Sequence, residues 1–344
     1  MVSPRFSVLL PTHNRADVLG FAIRSVLSQT EADFELLIVG DGCTDGTAGV
    51  VQNFTDRRIR WFDLPKSPGF GYKNRNVVLR QAQGELIACM TDDDLLLPDH
   101  LMRLRRALDD DAIEWVYSRP LWVSRDGVII PVCTNLTNDD ELHHMKTVEL
   151  FIPTSCIAYR RACHDRYGMW PEHLASQGDR DLWIRILKPG PDRNHAFLPT
   201  PTAFHFLANW RLVESLENWP ATGNFLRLAR TCAWWPLCLK VRTSPDVSQQ
   251  ATIFEAIERG GETWIGELRW AVDRVIDRTA LDHVLKGLPQ LVQERDAIAG
   301  ERDAIAGERD AIAGQRDAIM NSRTWRLTQP LRTLHRLLRE FREN

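Results

Sequence analysis

Through residues 5–90, short apolar runs alternate with amphipathic segments, and few folds accept that rhythm. Phe6 to Leu10 reads as a strand ending at Pro11. Ala16 to Ser28 carries Val18, Leu19, Ala22, Ile23, Val26 and Leu27 at helical spacing. Phe34 to Val39 is a second strand, closed by the turn-rich segment Gly40-Asp41-Gly42-Cys43-Thr44-Asp45-Gly46. Thr47 to Phe54 reads as a helix, Ile59 to Phe62 as a short strand, and Asn74 to Gln83 as a helix stopped by Gly84. Leu86 to Met90 is a further strand. The expected fold class is therefore α/β, a mostly parallel sheet flanked by helices on both faces. Ligands of such sheets bind beyond the carboxyl ends of the strands. That rule points to Pro11–Arg15, Gly40–Asp45 and Thr91–Asp94.

The bulk properties narrow the function classes. A chain of 344 residues, 44% hydrophobic and 26% charged, has enough apolar surface to build a core. A net charge of -3 offers no basic excess to neutralise phosphates, so nucleic acid is not an expected partner. The seven cysteines are odd in number and lack a CxxC pair, which favours reduced thiols over a zinc site or a disulfide framework. Most of the twelve Trp are expected in cores, with a few free to stack on sugar rings or bases. No apolar stretch approaches the roughly 20 residues that span a bilayer, and the N-terminal run is too short for a signal peptide. The expected location is cytoplasmic, with peripheral contact at the inner face of a membrane as an option.

Beyond residue 210 the chain changes character. Residues 211–288 read as a mainly helical extension without a site signal. Residues 294–321 then repeat ERDAIAG three times and end in QRDAIMN. Ile298, Ile305, Ile312 and Ile319 form one stripe, and 289–321 reads as a weak coiled coil or helical spacer, a route to self-association. Gly300, Gly307 and Gly314 each weaken that helix by about 1 kcal/mol. The tail, 322–344, is basic and amphipathic. It suits an anionic membrane surface or a partner helix equally.

Chemistry concentrates at Thr91-Asp92-Asp93-Asp94-Leu95, directly after a strand. Three adjacent carboxylates repel one another, and a divalent cation shared with a diphosphate would offset them. A solvated acidic turn or a helix cap explains the triplet alone equally well.

The ordered segments FSVLLPTHNRADVLGFAIRSVLSQT, FELLIVGDGCTDGT and KNRNVVLRQAQGELIACMTDDDLLLPDHL together resemble the inverting glycosyltransferases of family 2, which have the GT-A fold. The resemblance is close over residues 5 to about 104 and looser through RYGMWPEHLASQGDRDLWIRI to about 210. It implies a glycosyltransferase domain over 1–210. It also implies that Pro11, Thr12, Asn14 and Arg15 lie near the ribose and base, that Asp41 and Arg75 stand at the base, and that Asp92 faces the ribose. Asp93 matches the metal-binding Asp, for Mg²⁺ or Mn²⁺, although the register within Asp92–Asp94 stays open. His205 is a further metal or diphosphate candidate, with a hydrogen-bonded core histidine as its other reading. Three positions depart from the family pattern: Gly40 and Thr91, where Asp is frequent, and Gly178, where Glu is usual.

The resemblance also identifies Asp179, in Gly178-Asp179-Arg180-Asp181, as the general base, with Asp181 in reserve. Inverting transfer needs one carboxylate to take the proton of the attacking hydroxyl. The implied partners are a nucleoside-diphosphate sugar of UDP or dTDP type and a glycan or lipid-linked acceptor, in the synthesis of a bacterial surface polysaccharide or glycolipid. A sugar nucleotidyltransferase would want a Gly-rich phosphate loop with a Lys after the first strand, which PTHNRAD is not. A non-catalytic scaffold would account for the three departures, but it gives no reason to keep both the Asp cluster and a base candidate.

Overall fold

The computed structural model describes residues 3–148, 152–207, 216, 219–244 and 246–321. The first strands, β1 (Phe6–Thr12) and β2 (Phe34–Asp41), are buried along nearly their whole length, as parallel strands covered on both faces require. β3 (Ile59–Leu64) and β4 (Leu86–Cys89) flank them in parallel, giving the order β3-β2-β1-β4. The next strands are β5 (Leu95–Leu96), β6 (Trp115–Val123), β7 (Ile129–Pro131), β8 (Ile157–Arg160) and β9 (His195–Phe206). Among the described residues the sheet has nine strands, continuing from β4 through β8, β6 and β9 to β5, with β7 beside β6. β8 enters antiparallel, so the parallel half ends at β4.

Helix α1 (Leu19–Leu27) buries Leu19, Ala22, Ile23 and Val26, one stripe at helical spacing. It starts three residues later than the apolar pattern suggests. The amide of Arg15 donates to Thr47 Oγ1 and that of Ala16 to Asp45 Oδ2, so the second loop engages this backbone before the helix begins. The following helices are α2 (Thr47–Gln52), α3 (Tyr72–Leu79), α4 (His100–Leu108), α5 (Asp139–Thr147), α6 (Cys163–Tyr167), α7 (Gly178–Ile186), α8 (Pro220–Thr231) and α9 (Gln249–Asn321), the last interrupted at Gly261.

Two cores sit against this sheet. One packs Trp115, Tyr159 and Trp170 around Trp183, with ring centroids 5.3–6.1 Å from it. Aromatic pairs of this kind add about 0.5–1.5 kcal/mol each beyond area burial. The other core joins Leu95, Leu97, Trp122, Ile130 and Phe204 to side chains of α8 and of α9 up to Val275. The chain divides into two compact units, Met1–Asp277 and Arg278–Asn344. In the second unit the described residues are helical, and Ile298, Ile305 and Ile312 are each about two-thirds exposed. Ile319's side chain and the basic tail, 322–344, lie outside the described residues. Among the described residues no helix is long and apolar enough to cross a membrane.

Candidate active site

The site forms where the parallel strands end. After β1 the chain turns through Asn14, which takes the left-handed conformation (φ 54°) that Asn tolerates better than most residues. Its Oδ1 accepts from the Thr44 amide at 2.8 Å, tying the first loop to the second. His13 adds a contact of its Nδ1 with the Asp41 carbonyl at 2.8 Å. Pro11 and Thr12 continue the strand, paired with Val39 and Gly40. The four loop residues predicted to face the nucleotide thus form one braced edge.

Asp41 is 5% exposed and fully engaged. Its Oδ1 accepts from the Ser67 amide (2.8 Å), the Ser67 hydroxyl (3.0 Å) and Asn74 Nδ2 (2.6 Å), while Lys66 closes on Oδ2. Burial opposes the charge on Asp41. Those donors outweigh it and hold the carboxyl below its usual range. Lys66 and Ser67 went unnoticed in the sequence. Their only signal is the turn-forming run Ser67-Pro68-Gly69-Phe70-Gly71 before α3.

The acidic triplet lies between β4 and β5, and each carboxylate has its own surroundings. Asp92 accepts from the His13 amide at 3.4 Å and stands 3.6 Å from Arg15 Nε. Asp93 is 3.8 Å from Arg15 Nη2, and its backbone carbonyl accepts from Gln250 Nε2, at the start of α9, at 3.0 Å. Asp94 is wholly buried. β5 and β9 run antiparallel with Leu95 opposite Phe204, so Asp94 faces His205, whose Nδ1 lies 2.9 Å from Asp94 Oδ1. The Phe206 amide donates to the same oxygen at 3.2 Å.

Burial pushes the Asp93 carboxyl up to about 7, with the Asp94 and Asp92 charges adding to the effect and His205 and Arg15 opposing it. Three adjacent carboxylates thus share one buried site with a single guanidinium, Arg15, beside them. Among the described residues no group of three His, Cys, Asp or Glu side chains is placed to hold a metal ion by itself. Oxygen donors with uncompensated charge fit a hard divalent cation whose coordination a diphosphate completes.

The second centre is Asp179. Residues from Asp181 onward read as helical in the sequence, but α7 begins at Gly178, so Asp179 sits in its first turn, where the helix dipole favours negative charge. Asp179 Oδ1 meets Arg75 Nη1 at 3.3 Å. Burial, and after it the Asp179 charge, drive the buried Cys89 thiol at the end of β4 upward, so this carboxylate acts on the same sheet edge as the triplet. Asp181 instead pairs with Arg185 one turn on, at 2.8 Å. His143 and His144 lie on α5, away from these groups in sequence and element.

The three departures from the family pattern have local causes. A Cβ at residue 40 would lie 2.4 Å from the Trp61 ring, so the indole fills the space of the missing side chain. A Cβ at residue 178 would lie 2.6 Å from Tyr72 Cζ, and the Gly178 amide donates to the Tyr72 hydroxyl at 2.9 Å. The Thr91 amide donates to Ser155 Oγ at 2.9 Å, and the two hydroxyls are 3.0 Å apart. Tyr72 and Trp61 were not singled out in the sequence.

The Glycosyl transferase family 2 model matches residues 7–168. The putative teichuronic acid biosynthesis glycosyltransferase TuaG of Bacillus subtilis is 30% identical over 193 residues, 54% of this chain and 73% of that protein. This chain belongs to glycosyl transferase family 2. As a family 2 member it is a glycosyltransferase. The GalNAc(5)-diNAcBac-PP-undecaprenol beta-1,3-glucosyltransferase of Campylobacter jejuni is 36% identical over 109 residues, covering 31% of this chain and 35% of that one. A crystal structure of S. aureus TarS 1-349 in complex with UDP-GlcNAc aligns with a TM-score of 0.50 at 22% identity. It covers 62% of this chain and 62% of that chain, and bears on the fold alone. The fold of this family 2 enzyme is of the GT-A type.

Proposed function

We propose that this glycosyltransferase moves a sugar from a UDP- or dTDP-type donor to a hydroxyl of a glycan or lipid-linked acceptor, with inversion. The observation that carries this reading is one connected polar edge. It runs from Asp93 through Arg15 to Asp92, through His13 to Asp41, and through Asn74 and its neighbour Arg75 to Asp179. The candidate nucleotide loops follow the strands, and the base candidate on α7 is joined to them through Arg75 of α3, which supports this reading.

In the reaction proposed, Asp179 takes the proton of the acceptor hydroxyl. The acceptor oxygen bonds to the anomeric carbon as the bond from that carbon to the diphosphate oxygen breaks, and the nucleoside diphosphate leaves with both electrons. Asp93 would hold a divalent cation, with His205 as a further donor. The cation, when bound, supplies positive charge for the leaving diphosphate. Arg15 adds a fixed charge beside the same oxygens. Asp41, already saturated by Lys66, Ser67 and Asn74, shapes the base pocket by holding those three groups.

The scaffold alternative rests on the departures at Gly40, Thr91 and Gly178. Each is matched by a partner filling or bonding the altered space, a pattern of repacking that supports a maintained site. Self-association through 289–321 and membrane contact through 322–344 are held as proposals. The exposed isoleucine stripe motivates the first, and sedimentation of the protein against a 289–344 deletion tests it.

The functional test is thermal unfolding against a panel of nucleoside diphosphates, with and without Mn²⁺. A ligand that binds only the native state stabilises it by mass action, by about 2.7 kcal/mol at a hundredfold excess over Kd, and so raises Tm. A Mn²⁺-dependent rise with UDP or dTDP, absent in Asp93→Asn, is the expected result. No shift with any nucleotide at millimolar concentration would overturn the proposal.

A further inference from the structure

We infer that Arg75 is a positioning residue for Asp179 rather than a reader of the nucleobase. The inference rests on the proposed role of Asp179 and deepens it. Helical geometry is the starting point. Residues three and four apart share a helix face, so Tyr72, Arg75 and Asn76 of α3 project together while Asn74 points elsewhere. Asn74 is the residue that turns to Asp41. The other three all serve the segment that carries the base.

Asn76 pairs with Trp170 in both directions: its Nδ2 donates to the Trp170 carbonyl at 2.8 Å, and the Trp170 amide donates to its Oδ1 at 3.2 Å. Tyr72 accepts from the Gly178 amide at 2.9 Å. Arg75 is clamped in the notch where the two rings these contacts fix meet, 5.7 Å apart at their centroids and tilted by 47°; its guanidinium carbon lies 4.6 Å from the Trp170 centroid and 5.1 Å from that of Tyr72. Both rings are 2% exposed and the Arg75 side chain 14%. A cation in the notch of two packed, buried rings is attracted by both, and it has little freedom to reorient. Arg75 Nε is buried without a hydrogen-bond partner, so the aromatic clamp, and not a hydrogen bond at that atom, sets the guanidinium plane. The edge that emerges, Nη1, meets Asp179 Oδ1 at 3.3 Å.

The Gly178 departure then gains a reason. Tyr72 occupies the volume a side chain at residue 178 would need, and that same ring forms one jaw of the clamp. A base oriented by a third, fixed group is a recurring way to keep a proton acceptor aimed. Here the orienting group comes from α3, 104 residues earlier in the chain.

The test uses the full chain carrying Arg75→Ala, Arg75→Lys, Asp179→Asn and the Arg75→Ala/Asp179→Asn pair. UDP affinity with Mn²⁺ is measured by calorimetry. Turnover is measured as nucleotide release from the UDP- or dTDP-sugar that the wild-type protein consumes. Arg75→Ala should lower kcat about 100-fold, leave the UDP Kd within about twofold, and make Asp179→Asn no worse in the double variant. Arg75→Lys, which keeps the charge and folds even if the alanine variant does not, should recover part of kcat at unchanged Kd. A tenfold weaker UDP Kd with kcat intact would overturn the inference in favour of base reading, as would independent, multiplying losses in the double variant. Wild-type turnover by Asp179→Asn alone would instead remove the base assignment itself, so the two failures are distinguishable.

Discussion

The two carboxylate centres are built in opposite ways. Asp92, Asp93 and Asp94 crowd three charges at the end of β4, faced by Arg15 at 3.6–3.8 Å and by His205, which pairs with Asp94. Asp179 stands at a helix start, where Arg75 meets its charge at 3.3 Å. The first centre is short of positive charge and can be completed by a bound group. The second is already balanced and has only to stay aimed. A site that binds a charged donor and then removes one proton needs this asymmetry. Binding draws on unmet electrostatic demand, and proton transfer draws on fixed geometry.

The comparison breaks most directly at Asp179. Asp179→Asn keeps the shape and loses the proton acceptor, so turnover should fall by about 10²–10⁴ while nucleotide affinity is kept. Rates within a few-fold of wild type would remove the base from the second centre. Asp93→Asn acts on the first centre, and its loss of turnover should be smaller, on the order of 100-fold, with Mn²⁺-dependent nucleotide binding abolished. The same variant should also be more stable than wild type in metal-free buffer at pH 7–8, by ~1–2 kcal/mol, because it removes a carboxyl that burial and its neighbours hold at about 7. Equal or lower stability there would mean that the triplet carries no excess charge.

Packing provides a third probe, in stability rather than rate. Gly40 and Gly178 both meet an aromatic ring within a Cβ's reach, at 2.4 and 2.6 Å. Trp61 is only partly buried and lies on β3, the last strand on its side of the sheet, so it can swing aside. Tyr72 is buried, and its hydroxyl is tied to the Gly178 amide. Gly178→Ala should therefore cost about 2–3 kcal/mol in denaturant unfolding and Gly40→Ala less than about 1.5. The reverse order would mean that the Tyr72 ring is not the rigid jaw described above.

Much of this organisation was legible in the sequence, and for a physical reason. Parallel strands buried on both faces leave continuous apolar runs, so β1, β2 and β4 stand out, and the loops that follow them are where ligands bind. The acidic triplet and Asp179 were legible as motifs. Their neighbours were not. The motif match implies a nucleobase role for Arg75, and because a motif records order along the chain and not which face of α3 a side chain takes, it is silent on the contact with Asp179. Nothing in the 70s segment of the sequence announces Trp170, and nothing near Asp93 announces Gln250. His205 was visible as a candidate, but its pairing with Asp94 follows from the β5–β9 register, which couples residues 111 apart. The apolar pattern reaches back to Ala16, but α1 starts at Leu19 because the second loop takes the amides of Arg15 and Ala16 first.

The smallest expected effect concerns pH, where the crowded triplet should work against the protein's buried histidines. His100 is held down to about 3 and His164 to about 4, in both cases chiefly by burial. The Thr202 hydroxyl donates to Ser118 at 2.6 Å and so accepts from His100 Nδ1 at 2.7 Å. That arrangement leaves His100 Nε2 buried with no partner to welcome a second proton. Both folded values lie below the ordinary 6.5. The unfolded chain therefore takes up protons first, and the stability these histidines contribute above pH 6.5 is lost as pH falls toward 4. Each removes about 1.4 kcal/mol per pH unit over that window. Asp93 has the opposite sign. Its folded value lies above 3.8, so the native protein gains a proton first and recovers about 1.4 kcal/mol per pH unit over the same range. Urea unfolding between pH 6.5 and 4.5 should show a net loss in wild type of about 1.4 kcal/mol per pH unit, because two histidines outweigh one carboxyl. The loss should steepen in Asp93→Asn, where that carboxyl no longer opposes the histidines, and flatten in His100→Gln. A slope unchanged by Asp93→Asn would show that the triplet shares its charge as evenly as Asp179 does with Arg75, and the contrast between the two centres would fall.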